Sequence, residues 1–157
     1  MKFISNFFIL FLSHSSIHSM EHPTQPTSNS LPYILTIKKA YPEMPPESSL
    51  SEDYIALCLC KCTGEKIGEA IFNPTAGELK SLRVTEKYRR KSYGKLLFQT
   101  VEEQIRRKNY CQRMTWIVQR FELNSPSQEV LYEFYRKMGG NPDPEAKFEG
   151  SFFKLLK

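Results

Sequence analysis

Between Val84 and Ile105 the chain reads VTEKYRRKSYGKLLFQTVEEQI, a β-like run that crosses three consecutive cations, Arg89, Arg90 and Lys91, into a helical pattern. Tyr93, Leu97, Val101 and Ile105 recur every four residues with Leu96 beside them, while Glu102, Glu103, Arg106 and Arg107 fall elsewhere. That spacing predicts one buried stripe and otherwise wet faces, starting near Ser92. A helix N-terminus is already the positive end of the macrodipole and ordinarily attracts Asp or Glu. Cations crowded there imply an anion that the sequence does not itself supply. The free N–H groups of a first helical turn bind anions. With Arg89, Arg90 and Lys91 leading in and Gly94 and Lys95 in the first turn, the cradle suits a pyrophosphate better than one carboxylate.

The rest of the chain must provide a sheet for this β-to-α unit. LPYILTIKKA (31–40) reads as a first strand, and YPEMPPESSLSED as a loop, since Pro42, Pro45 and Pro46 rule out a long helix. YIALCLCKC (54–62) is apolar on both faces, as in a strand covered on two sides. TGEK turns it into IGEAIFN (67–73), and PTAG leads on to ELKSLRV (78–84). RMTWIVQ (113–119) is a further strand. Ser125 as N-cap, Pro126 in the first turn and Gln128 as capping-box partner open a second helix carrying Val130, Leu131, Phe134, Tyr135 and Met138, which Gly139 and Gly140 end. FEGSFFKLL (148–156) is the last strand. This order predicts an α/β (α+β) domain over residues 31–157, a mixed and mostly antiparallel sheet flanked by helices, with a short region between its first two strands.

A chain of 157 residues needs only one such core. Its formal charge of +5 fits contact with nucleic acid, a membrane surface or a phosphorylated cofactor. Residues 1–30 differ in composition: Lys2, an apolar run from Phe3 to Leu12 and small polar residues to Ser19 have the layout of a secretory signal, too short to span a membrane. Met20 and the polar stretch after it fit a later start equally well, so both readings stand. Cys58, Cys60 and Cys62 alternate, which points all three to one face of a strand as small core residues, and reduced thiols favour the cytoplasm over export. Neither a disulfide framework nor a metal site fits that spacing. The only histidines, His14, His18 and His22, precede the domain. Histidine-dependent nucleophilic catalysis and histidine metal sites are thereby excluded from it.

The stretch Leu82-Arg83-Val84 followed by Arg89-Arg90-Lys91-Ser92-Tyr93-Gly94 resembles the acyl-CoA-binding segment of the GNAT superfamily of N-acetyltransferases, in which a strand leads to [RQ]-x-x-G-x-[GA] at a helix start. Ser92 stands where the pattern has its first glycine. VLYEFYRKMGG resembles the second CoA-contacting helix of that family, and TWIVQ its preceding strand. The family's asparagine before that helix has two candidates, Asn124 and Gln128. The resemblance implies acetyl-CoA as co-substrate, held by Leu82, Arg83, Val84, Arg89, Arg90, Lys91, Ser92, Tyr93, Gly94 and Lys95. It also implies a small-molecule or peptide amine as acceptor, and no metal.

The same resemblance places Tyr135 as the acid that protonates the departing thiolate and Glu78, at the start of its strand, as general base. An alkyl amine with a pKa near 10.4 must lose a proton before it attacks. The backbone N–H near Val84 is the expected carbonyl polariser. Glu43, Glu47, Glu52 and Asp53 give the 41–53 loop an acidic face toward a cationic acceptor. Two other readings remain: a basic module that binds nucleic acid through Arg89, Arg90, Lys91, Arg106 and Arg107, and a CoA-binding fold without catalysis. The absence of an aromatic RNA-reading motif disfavours the first. A homodimer is compatible with the sequence.

Overall fold

The computed structural model describes residues 32–108, 112–120 and 124–156. The leader expected at 1–30, and Cys111, lie outside them. Seven strands, β1 (Tyr33–Lys39), β2 (Tyr54–Cys60), β3 (Lys66–Asn73), β4 (Glu78–Val84), β5 (Arg113–Ile117), β6 (Asn141–Pro142) and β7 (Ser151–Leu155), form one sheet in the order β1-β2-β3-β4-β5-β7-β6. Every adjacent pair is antiparallel except β4 and β5. Helices α1 (Tyr93–Arg107) and α2 (Gln128–Lys137) follow β4 and β5. The 41–53 segment forms only turns and bends, as its prolines predict. No described helix is long and apolar enough to cross a membrane.

Cross-strand register assigns the two sheet faces. Leu35, Ala56, Cys58, Ala70, Phe72, Leu82 and Leu79 share one face, and β4–β5 pairing places Trp116 with Leu79 on that face too. Both helices pack there. Leu97, Phe98, Val101 and Ile105 of α1 are fully buried, and Tyr135 of α2 stacks 5.3 Å from Trp116 and 5.9 Å from Phe98. Gly68 permits the close fit: a Cβ there would meet Arg83 O at 2.6 Å and Leu97 at 3.0 Å.

Several local expectations shift. The β2 strand ends at Cys60 because the chain turns through Gly64, whose N–H bonds Cys60 O at 2.8 Å with φ +69°. Cys58 is therefore core, Cys60 half-buried and Cys62 exposed, so the three thiols do not line one core face. Glu102, expected to face water, is only 9% exposed and lies between Arg106 at 2.7 Å and Lys154 at 2.8 Å, which compensate its burial. The N-cap of α2 is Ser127, whose Oγ accepts from Val130 N, rather than Ser125. Gln128 acts elsewhere, donating to Val118 O at 2.8 Å. The final strand is shorter than expected, and the two-residue β6 beside it carries a proline that hid it in the sequence.

Candidate active site

The start of α1 departs from ordinary capping. Ser92, its N-cap, lies in the left-handed region at φ 65°, and its side chain makes no capping bond. Arg90, two residues earlier, has φ 61°. Two left-handed residues separated by Lys91 curl the backbone as in an anion nest. The first helical bond runs from Leu96 N–H to Ser92 O (3.0 Å), leaving the amides of Tyr93, Gly94 and Lys95 ahead of it. No acidic residue occupies this first turn. The family glycine position is thus one that requires positive φ, and Ser92 occupies it at a cost of about 1 kcal/mol.

The cations here divide by what they touch. Lys87 pairs with Glu65 at 2.7 Å, and Lys91 lies 5.7 Å from the Tyr88 ring centre. The Arg89 guanidinium donates to Val84 O at 3.1 Å and also to Asn124 O. It clamps the end of β4 to the residues leading into α2, a use of Arg89 that sequence reasoning did not reveal. Arg90, Lys91 and Lys95 are exposed and make no ion pair among the described residues.

Beyond this cradle the sheet opens. The parallel β4–β5 pairing extends only through Glu78–Thr115 and Leu79–Trp116. Lys80 then forms a bulge, since Ile71 faces Ser81 while Phe72 faces Leu79. From Lys80 to Val84 the β4 edge has no strand partner on that side, and a slot of about 30 Å³ runs between the strands. Lys80, Ser81, Leu82, Ile117, Leu131 and Tyr135 are among its lining residues. Tyr135 is 8% exposed, and burial pushes its phenol up to about 12. It stays protonated at neutral pH, so its O–H is available as a hydrogen-bond donor.

Leu82 and Tyr135 therefore line the slot, Val84 ends the open strand, and Arg90 to Lys95 follow it in the chain at the start of α1. Arg83 projects from the opposite sheet face and is exposed. Glu78 lies at the closed end, two residues before the bulge and outside the slot lining. Asn124 contributes its backbone carbonyl to Arg89, and Gln128 anchors the splayed Val118.

Lys80 was not singled out by the sequence. Its Nζ lies 2.8 Å from Asp53, which is fully buried and also accepts from Asn73 at 3.3 Å. Asp53 is accordingly no part of an exposed acidic face; it fixes the bulge. Asn73 in turn caps the turn before β4 through the N–H groups of Thr75 and Ala76. Only the polar residues themselves signalled this network, because their meeting depends on strand register. Beside the slot, an open groove of about 420 Å³ is lined by Gln119, Arg120, Gln128, Tyr132 and Glu149, among others.

Solved structures share the fold. An acetyltransferase of the GNAT family from Staphylococcus aureus Mu50 superposes with a TM-score of 0.53 at 13% identity, over 68% of this chain and 70% of that one. The PaiA N-acetyltransferase from Thermoplasma acidophilum, in complex with coenzyme A, gives 0.51 at 21% identity, over 64% and 60%. Nourseothricin acetyltransferase gives 0.53 at 11% identity, over 80% and 85%. No curated protein matches the chain by sequence. The profile of the Acetyltransferase (GNAT) family matches residues 20–139, and the chain belongs to that family.

Proposed function

We propose that this protein transfers an acetyl group from acetyl-CoA to a primary amine. The observation that carries this reading is the continuity from the uncapped start of α1, along the unpaired edge of β4, to a slot holding a buried phenol. Acetyl-CoA has the matching sequence of parts: phosphates, an amide-bearing arm and a thioester. The amides of Tyr93, Gly94 and Lys95, with Arg90, Lys91 and Lys95 side chains, hold the phosphates. The free edge from Lys80 to Val84 pairs with the arm, and a backbone N–H near Val84 polarises the carbonyl.

Tyr135 then lies beside the leaving sulfur. A phenol held near 12 is a weaker acid than a thiol, so it serves as a hydrogen-bond donor to the developing thiolate. The proton that ends on sulfur comes from the amine, and Tyr135 keeps its own. Glu78 acts as general base from the closed end of the slot through water, since it does not line the slot.

The test is steady-state release of CoA thiol with acetyl-CoA and a panel of primary amines. Tyr135→Phe is expected to lower kcat by roughly 10- to 100-fold with little change in KM for acetyl-CoA. Because the Tyr135 phenol stays protonated, the wild-type rate should show no Tyr135-dependent alkaline loss below about pH 11. An unchanged kcat in Tyr135→Phe contradicts the assigned role.

A further inference from the structure

Trp116 is 3% exposed, and its Nε1 is the one buried side-chain nitrogen or oxygen without a hydrogen-bond partner among the described residues. Buried N–H groups are paired in nearly all native structures, and each exception calls for a reason. An indole nitrogen can only donate. The side chains packed on it are aromatic: Phe152 stacks with ring centres 6.1 Å apart, Phe98 meets it edge-on at 5.3 Å, and Tyr135 lies tilted at 5.3 Å. Gly140 makes room for the benzo edge, where a Cβ would fall 2.5 Å from Cζ2. This packing uses the ring and leaves its N–H without a function.

The position of Trp116 supplies one. It is the last β5 residue paired with β4, opposite Leu79, and it lines the slot that opens where the two strands part. Register puts its side chain on the helical side of the sheet, the side from which Tyr135 lines the same slot. One wall of the slot thus combines a phenol and an indole, and no carboxylate is among the lining residues. The slot's volume of about 30 Å³, close to one water's share of the liquid, suits a single acceptor atom.

We propose that the indole N–H of Trp116 is a second hydrogen-bond donor to the sulfur of the acyl donor, acting beside the phenol of Tyr135. This assignment rests on the acetyl-transfer reading, which brings a thioester to the slot. As the neutral amine nitrogen bonds to the carbonyl carbon, the C–S bond breaks and its electron pair goes to sulfur. A hydrogen bond strengthens when its acceptor becomes charged, so the indole holds the departing thiolate more strongly than the intact thioester. Indole and phenol both keep their protons, and the proton that ends on sulfur comes from the amine.

Trp116 is the only tryptophan in the chain, so nitrogen-15 labelling gives a single indole N–H signal by NMR. The full chain is titrated with CoA and with desulfo-CoA, which has hydrogen in place of the thiol. CoA should move the indole proton downfield, and further as pH rises and the bound thiol ionises, whereas desulfo-CoA should leave it in place. In turnover, Trp116→Phe should lower kcat roughly 10- to 100-fold, the worth of one hydrogen bond to a charged group, with KM for acetyl-CoA nearly unchanged. The same variant should raise the pH at which enzyme-bound CoA ionises, followed by thiolate absorbance, a readout of charge on sulfur rather than of packing. The NMR titration uses the native chain and decides the matter even where Trp116→Phe does not fold. Equal shifts with CoA and desulfo-CoA, an indole signal indifferent to both while calorimetry detects CoA binding, or an unchanged kcat in folded Trp116→Phe overturns the proposal and leaves acetyl transfer standing. Absence of CoA and acetyl-CoA binding in calorimetry overturns the acetyl-transfer reading itself.

Discussion

The two helices begin in opposite ways. At α2, Ser127 is an extended N-cap whose Oγ accepts from Val130 N, and Glu129 stands in the first turn with its carboxyl held below its ordinary value by its own backbone N–H and by Ser127. Dipole and side chains agree there, and the helix end is complete in itself. At α1 the N-cap is left-handed, no side chain caps it, no acid is present, and Arg90, Lys91 and Lys95 surround it. One chain thus contains both a self-satisfied helix start and one that lacks an anion. The difference is the structural basis for proposing a phosphate site at α1 and none at α2.

The contrast is broken most severely by giving α1 the charge that α2 has. Arg90→Glu should weaken acetyl-CoA binding by roughly 30-fold or more, measured by calorimetry, since a favourable charge is replaced by a repulsive one beside phosphate. Ser127→Ala is the converse experiment. It should cost about 1 kcal/mol, a fall in Tm of roughly 2–4 °C, and leave acetyl-CoA affinity unchanged. Ser92→Gly sharpens the comparison with the smallest effect. Relief of left-handed strain exceeds the added freedom of the unfolded chain only slightly, so Tm should rise by about 1–2 °C. A fall in Tm on that substitution would contradict the assigned conformation.

Legibility in the sequence followed the range of the interactions involved. The β4 bounds, the proline-broken 41–53 loop, the α1 stripe and the stop of α2 at Gly139, with φ +84°, were all readable because each is set by residues within a turn or a few strand positions. The capping site of α2 was misplaced by two residues because Gln128 bonds Val118 across the fold instead of closing a local box. The Lys80 bulge, its buried partner Asp53 and the Arg89 clamp depend on partners 27 and 35 residues distant. No local pattern encodes those meetings. The residues at the start of α1 and Tyr135 were singled out by spacing and family resemblance, and their backbone conformation and burial are what the structure adds, whereas the failure of Glu78 to line the slot emerged only from where β4 and β5 part.

The central claim is that the start of α1 is a phosphate site for the acyl donor. Calorimetric titration of the full chain with acetyl-CoA, and in parallel with S-acetylpantetheine, which lacks the nucleotide phosphates, tests it directly. Acetyl-CoA should saturate at one molecule per chain and bind far more tightly than S-acetylpantetheine, with the difference shrinking as salt rises. Equal affinity for the two, or no heat from acetyl-CoA at millimolar concentration, would contradict it.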